Sequence, residues 1–434
     1  MLIEIYQFMR KHHAKIYACA FASSFQRLAD AFMNNTVDGF LSTLKDFVSV
    51  RQGAAVWMYG CLSLALVWFV TEALIKRALT HQKTNREFSN IMEAYTDTEA
   101  CGTQDKCVGV LSWGQQRTIL YSKQILFGWK PDEIIAEYDD AKYQFKSGQV
   151  LSGFRQFLEK DDNKRIAQLH NNMQRVMLVA VSENFNREKH RIILKMKHTD
   201  YLHARYTWCL TGAGGENGVP QPRLKDFLDG REKYVFPNSL CMHLILETAD
   251  RKVLSTVVSK AKENDYADSY AVTIGEQMNI EDLHKDGVDY DPNFITVWLK
   301  RALLEEFGIK DESFADLFEE DSFRILSVDY EGDIYNFSLV CVIKSVYSAE
   351  DFCDKVKSFM DNHEIHKIEP IAVDDIPQLL INKADGKNET SLNGKTYLCH
   401  PSTFLRLLVF YLHKKGLQEG SEKIVKYYKS ARRK

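Results

Sequence analysis

The sequence predicts an α+β protein with an N-terminal transmembrane helix, and three observations carry that prediction. One long uncharged apolar run covers residues 52–71. Strand-like and helix-like segments follow one another through the remainder. The 434 residues also exceed what one hydrophobic core supports, since single cores rarely grow past ~250 to 300 residues. The expected division is an amphipathic region (1–51), a transmembrane helix (52–75), a charged stem (76–95), an α/β module of unassigned role (96–230), a larger C-terminal domain (231–416) and a basic tail (417–434).

In the run 52–71, QGAAVWMYGCLSLALVWFVT, twenty residues carry no charge; at ~1.5 Å per residue such a helix crosses ~30 Å of hydrocarbon. A cleaved signal peptide would be shorter, nearer Met1 and followed by a small-residue cleavage site. Lys76, Arg77, Lys83 and Arg86 on the C-terminal flank outweigh Lys45 and Arg51, which Asp46 partly offsets. Positive charge stays inside, so a single-pass protein of a cell inner membrane is expected, with its C-terminal region cytoplasmic. Before the run, Tyr17, Phe21, Phe25, Leu28 and Phe32, then Phe40, Leu44, Phe47 and Val48, recur at helical spacing. Charges within both helices stop either from spanning, which leaves an extramembrane cap or a pore-lining element, the latter packed against copies of itself in a homo-oligomer.

After the stem, residues 107–113 and 118–127 read as strands, 129–143 and 152–171 as helices, and 176–186 and 190–198 as strands. Gly212, Gly214, Gly215, Gly218, Pro220 and Pro222 mark a loop. Residues 240–247 and 253–258 predict a hairpin, and 323–330 with 334–344 a second one. Between them, 294–307 predicts a helix with Ile295, Leu299, Leu303 and Leu304 on one stripe and Arg301, Glu305 and Glu306 on the neighbouring face, closed by Gly308. A helix at 348–362, an extended segment KIEPIAVDDIPQLL and a helix at 401–415 complete the order.

Composition narrows the partners. With 56 basic against 59 acidic residues and a pI near 6.5, the chain lacks the cationic excess that selects a nucleic-acid polymer. The nine cysteines form no CxxC pair and read as reduced thiols; Cys101 and Cys107, in a short polar loop, are the one pair close enough in sequence to merit attention. No phosphate loop, HExxH or nucleophile elbow occurs.

The stretch 287–309 places Gly287, Arg301, Leu303, Glu305, Glu306, Gly308 and Ile309 in the register of G-x5-E-x7-R-E-U-x-E-E-x-G-U, where U is a bulky aliphatic residue. That pattern resembles the Nudix box, and the order of elements over roughly 232–415 resembles the Nudix fold. The resemblance implies a C-terminal α/β/α sandwich with a mixed sheet. Asn293 and Ala302 stand where the box has two of its glutamates.

Diphosphate hydrolysis uses a divalent cation held by several carboxylate oxygens, so these departures matter. Glu305 and Glu306 remain as metal ligands for a weakened Mg²⁺, helped by Glu276 or by a downstream acid such as Glu364 or Glu369. Loss of Ala302's would-be carboxylate points to loss of hydrolysis, with no catalytic residue assigned and Gly287, Arg301, Glu305, Glu306 and Glu276 as ligand-binding candidates. Acids beside an arginine on an exposed helix also read as a salt-bridged face.

Joined to a membrane helix, the degenerate box resembles the membrane-spanning Nudix-type effectors of bacterial cyclic-oligonucleotide anti-phage systems. The resemblance implies an effector that senses a nucleotide-derived small molecule and disrupts the membrane. The alternative is a membrane-tethered hydrolase of nucleoside diphosphate derivatives in which Arg301, Glu305 and Glu306 act despite Ala302. A protein-interaction scaffold is a third reading.

Overall fold

The computed structural model describes residues 70–92, 111–113, 116–121, 128–169, 174–186, 189–212, 222–258, 269–284, 291–357, 365–382 and 389–433. Among them no helix is long and apolar enough to cross a membrane, which corrects the expected fold class: the described fold is mixed α/β without a spanning helix. The amphipathic region 1–51 and residues 52–69 of the expected span lie outside the described residues. Residues 70–75 open helix α1 (70–92), where the apolar run gives way to charge and Glu72 pairs with Lys76 at 2.6 Å. The chain divides into two units, Met1–Thr80 and His81–Lys434, and the sheets and cores belong to the second.

A nine-stranded mixed sheet forms its centre, in the order β1 (Ser112–Trp113), β2 (Gln116–Tyr121), β10 (Arg324–Glu331), β11 (Asn336–Lys344), β6 (Leu240–Glu247), β7 (Lys252–Val258), β12 (Ile365–Ala372). Only β11 and β6 run parallel. Beyond a single pair, Glu247 with Val253, the expected hairpin of β6 and β7 opens. Into the gap runs the segment holding β8 (Tyr270–Val272) on β7 and β9 (Ile274–Gln277) on β6. Between those strands the Thr273 hydroxyl donates to Leu254 O at 2.6 Å and accepts from Leu246 N at 2.9 Å, so a side chain replaces the missing ladder bonds.

Alternation along the strands feeds two cores. Met242, Leu244, Leu246, Val328, Phe337, Leu339 and Ile343 pack beneath α6 (Phe294–Phe307) and α8 (Ala349–Lys357). Phe227 of α5 (Leu224–Leu228) and Leu317 of α7 (Asp311–Leu317) belong to the same core. Ile245, Val253, Val272, Val340 and Val342 share the opposite core with α9 (Ile376–Ile381), α10 (Thr403–Lys415) and α11 (Leu417–Ala431). Residues 417–434, expected as a basic tail, are thus mostly a packed helix, because Ile424 and Val425 recur on its buried side.

The middle region departs from its expected form. Its first strands, β1 and β2, extend the large sheet along β10. Residues 129–143, expected as a helix, instead give a bridge from Trp129 to Ile325, a 3-10 turn at Pro131–Glu133 and strand β3 (Ile134–Asp139). The proline and two adjacent β-branched residues favour that outcome, and β5 (Lys189–Asp200) supplies a parallel partner. With β4 (Gln174–Asn186) these make a three-stranded sheet ordered β3-β5-β4. The helical stretch expected at 152–171 forms two helices, α2 (Gly148–Leu158) and α3 (Asp161–Leu169). Phe145, Phe154, Phe157, Leu202, Tyr206 and Leu210 form a third core between α2 and α4 (Tyr201–Gly212). Late in the chain, the expected extended segment is strand only to Ala372, after which a 3-10 turn leads into α9.

Candidate functional site

Helix α6 buries Phe294, Ile295, Trp298, Leu299, Ala302, Leu303, Glu306 and Phe307. Gly308 ends it at φ 69°, a left-handed cap that a side chain would strain. Leu304, expected on the buried stripe, is 45% exposed, and Trp298 takes that place.

Arg301 is the centre of the box, and all five of its guanidinium hydrogens have acceptors within the protein. Nε donates to Asp282 Oδ1 at 2.8 Å. Nη1 donates to Glu276 Oε1 and to Glu305 Oε2, both at 3.0 Å. Nη2 donates to Gln277 O at 2.6 Å and to Asp282 Oδ2 at 2.9 Å. A guanidinium has five donors, so none is left for a ligand. Burial works against this charge, yet Asp282, Glu276 and Glu305 hold it well above the usual arginine range. Asp282 is also fixed by Asn279 N, 2.8 Å from Oδ2, in the 3-10 turn Ile280–Asp282. On Glu276 burial raises the carboxyl pKa and Arg301 partly offsets the rise.

The other expected site residues fall into place around this hub or away from it. Ala302 is fully buried within the core, so its position is closed as well as uncharged. Glu305 has a half-exposed side chain committed to Arg301, and Glu306 is 8% exposed. Glu369 bonds Tyr270 at 3.0 Å and pairs with Lys367 and Lys395 on strands away from α6. Asn293 precedes the helix, its N–H donating to Asp291 Oδ1 at 2.8 Å. Gly287, Glu364, Cys101 and Cys107 lie outside the described residues, whereas Cys209, Cys241, Cys341, Cys353 and Cys399 stand outside any disulfide.

Magnesium, which the box resemblance implies, asks for several carboxylate oxygens converging on one point. Among the described residues no group of three or more His, Cys, Asp or Glu is disposed to hold a metal ion. Both Asp282 oxygens and one each of Glu276 and Glu305 accept from Arg301 instead, so this donor set does not fit the ion.

Sequence reasoning missed Arg175. It lies on β4, is 8% exposed, bridges Asn279 through the backbone and donates its Nη1 to the Asn279 side chain. The neighbouring Val176 N donates to Met278 O at 3.2 Å, completing the junction. Burial pushes the Arg175 pKa down, while Glu276 and Glu305 pull it up and Arg301 repels it. More than a hundred residues separate it from the box, and no spacing signal marks it.

Beside this junction the three-stranded sheet carries a cleft of about 920 Å³, with Tyr138, Tyr143, Lys142, Lys146, Lys195 and Lys197 in its lining. Lys142 pairs with Asp200 at 2.8 Å, Lys195 with Glu232 at 3.7 Å, and Lys197 with Asp139. Tyr138 meets His284 edge to face, ring centroids 6.0 Å apart, two residues from the Asp282 that holds Arg301.

No protein-family model and no curated protein matches the chain. Among solved structures it resembles the crystal structure of DR0079 from Deinococcus radiodurans at 13% identity, over 32% of this chain and 70% of that one. The TM-score is 0.22, at which the likeness supports no statement about fold or activity.

Proposed function

We propose that the unit after His81 is a sensing module that binds a nucleotide-derived ligand without hydrolysing it. The ligand fits the cyclic di- and trinucleotides of the anti-phage effectors that the sequence resembles. The observation that carries this reading is the saturation of Arg301: four of its five donors occupy oxygens of Asp282, Glu276 and Glu305 and the fifth the Gln277 carbonyl, which commits three of the acids near the box to an arginine. On that acidic face Arg301 is committed to protein acceptors and has no donor left for a phosphate. The lysine-lined cleft beside it offers ammonium groups for phosphate and tyrosine rings for bases. The pairs of Lys195 with Glu137 and Glu232 are exposed enough to exchange for phosphate at small cost.

Isothermal titration of the full chain with cyclic di- and trinucleotides tests the proposal. Binding that persists in EDTA, with no phosphate or mononucleotide released over hours, is the expected result. Failure of every such nucleotide to bind would overturn it. Mg²⁺-dependent hydrolysis abolished by Glu306→Gln would put an enzyme in its place.

A further inference from the structure

We infer that Arg175 is a tethered counter-cation that keeps divalent metal ions out of the box. It reaches the box from β4, a strand of the neighbouring sheet, through the backbone bridge to Asn279 and the bond to the Asn279 side chain. Asn279 in turn caps the turn whose Asp282 accepts twice from Arg301. Arg301 pairs with Glu276, Asp282 and Glu305, and the charge of Arg175 acts on Glu276 and Glu305, so this cluster of three carboxylates and two guanidinium groups sits one negative charge from neutrality without any metal. A divalent cation entering it would have to displace Arg301 from its oxygens and would be repelled by both arginines. Repulsion between nearby like charges is severe where solvent is excluded, and Arg175, Glu276 and Asp282 are all largely buried.

The inference rests on the non-hydrolytic reading of the box, but the two fail separately, because this test uses Mn²⁺ alone and needs no nucleotide. Electron paramagnetic resonance on the full chain is expected to show no Mn²⁺ bound at the box. Arg175→Met leaves two more negative than positive groups there and should tighten Mn²⁺ binding by roughly tenfold or more. Arg175→Lys keeps a cation and should behave like the native protein; adding Glu276→Gln to Arg175→Met should erase the gain.

A native protein that binds Mn²⁺ as tightly as Arg175→Met overturns the inference, as does a folded Arg175→Met that gains nothing. If Arg175→Met does not fold, Glu276→Gln in the native background decides. With Arg175 as resident cation the Mn²⁺ response stays unchanged; a loss of bound Mn²⁺ shows that a metal already used that carboxylate.

Discussion

Arg301 illustrates how one side chain can hold together carboxylates from three separate elements. It is 17% exposed and ties α6 to β9 and to the turn before the box, while Asp282 beneath it is 1% exposed. Removing the cation strands buried carboxylates that have no water to solvate them, a loss that typically costs 3–5 kcal/mol. Arg301→Met is therefore expected to destabilise the fold by about 3–5 kcal/mol in urea titration followed by circular dichroism. Arg301→Lys should recover only a small part of that, because an ammonium cannot present the planar fork that reaches both Asp282 oxygens and Gln277 O together. A loss below ~1 kcal/mol, the range of an exposed ion pair, would mean that the network is a solvated surface feature.

Between elements, the face of the large sheet toward α10 carries an unusual buried cluster. Glu331 of β10 meets His243 and Cys241 of β6, with Asp329 and Asp333 near Glu331, Arg406 of α10 close to Glu331, Asp329, His243 and Cys241, and His400 near His243. Arg406 Nη1 donates to Val272 O at 3.1 Å, and His243 Nε2 lies 3.2 Å from Glu331 Oε1. Burial pushes the Glu331 carboxyl up to about 8 and that of Asp329 to about 7, with Arg406 opposing both shifts. The native state thus keeps protons that the unfolded chain releases above its ordinary carboxylate pKa. Stability is lost as pH rises from about 4.5 to about 8. His243 and His400, held low chiefly by burial, act in the opposite sense and remove stability as pH falls below 6.5. The expected outcome is a fall in Tm between pH 6.5 and 8.5 that is flatter in Glu331→Gln; equal slopes would show that Glu331 keeps no such proton. Some of this architecture is legible in the sequence. Helix α6, its Gly308 cap, the hairpin of β10 and β11, and strands β4 and β5 follow from periodicity and turn residues, which are local. Strand β3 is hidden behind charges at helix-like spacing, and the parting of β6 from β7 depends on a segment whose pairing only the folded sheet defines. The Arg301–Glu305 pair is legible as an i, i+4 contact, whereas Asp282, Gln277 and Arg175 arrive from other elements.

Over the whole unit, the nine-stranded and three-stranded sheets share one interior, and that decides how a ligand would be felt. Val176, Leu178, Ile192 and Leu194 of the small sheet lie in the same core as Trp298, Leu299 and Phe307 of α6. Asn238 clamps the junction: it is fully buried, donates to Leu178 O and accepts from Leu178 N, each at 2.9 Å. Because the small sheet and the box helix share this core, a ligand held by the cleft is expected to stabilise the box helix as well as its own sheet. At a concentration of 100 times Kd, a ligand that binds only the folded state adds about 2.7 kcal/mol, a Tm increase of several degrees. Calorimetry with a saturating cyclic nucleotide should accordingly move the whole transition upward. The double variant Lys195→Gln, Lys197→Gln should abolish that shift while leaving the ligand-free Tm within a degree or two, because the partly exposed pairs of Lys195 with Glu137 or Glu232 and of Lys197 with Asp139 contribute little to stability. A shift that survives the double variant would move the ligand away from the cleft. A transition that splits, with only its lower part responding, would show that occupancy of the small sheet does not reach the box.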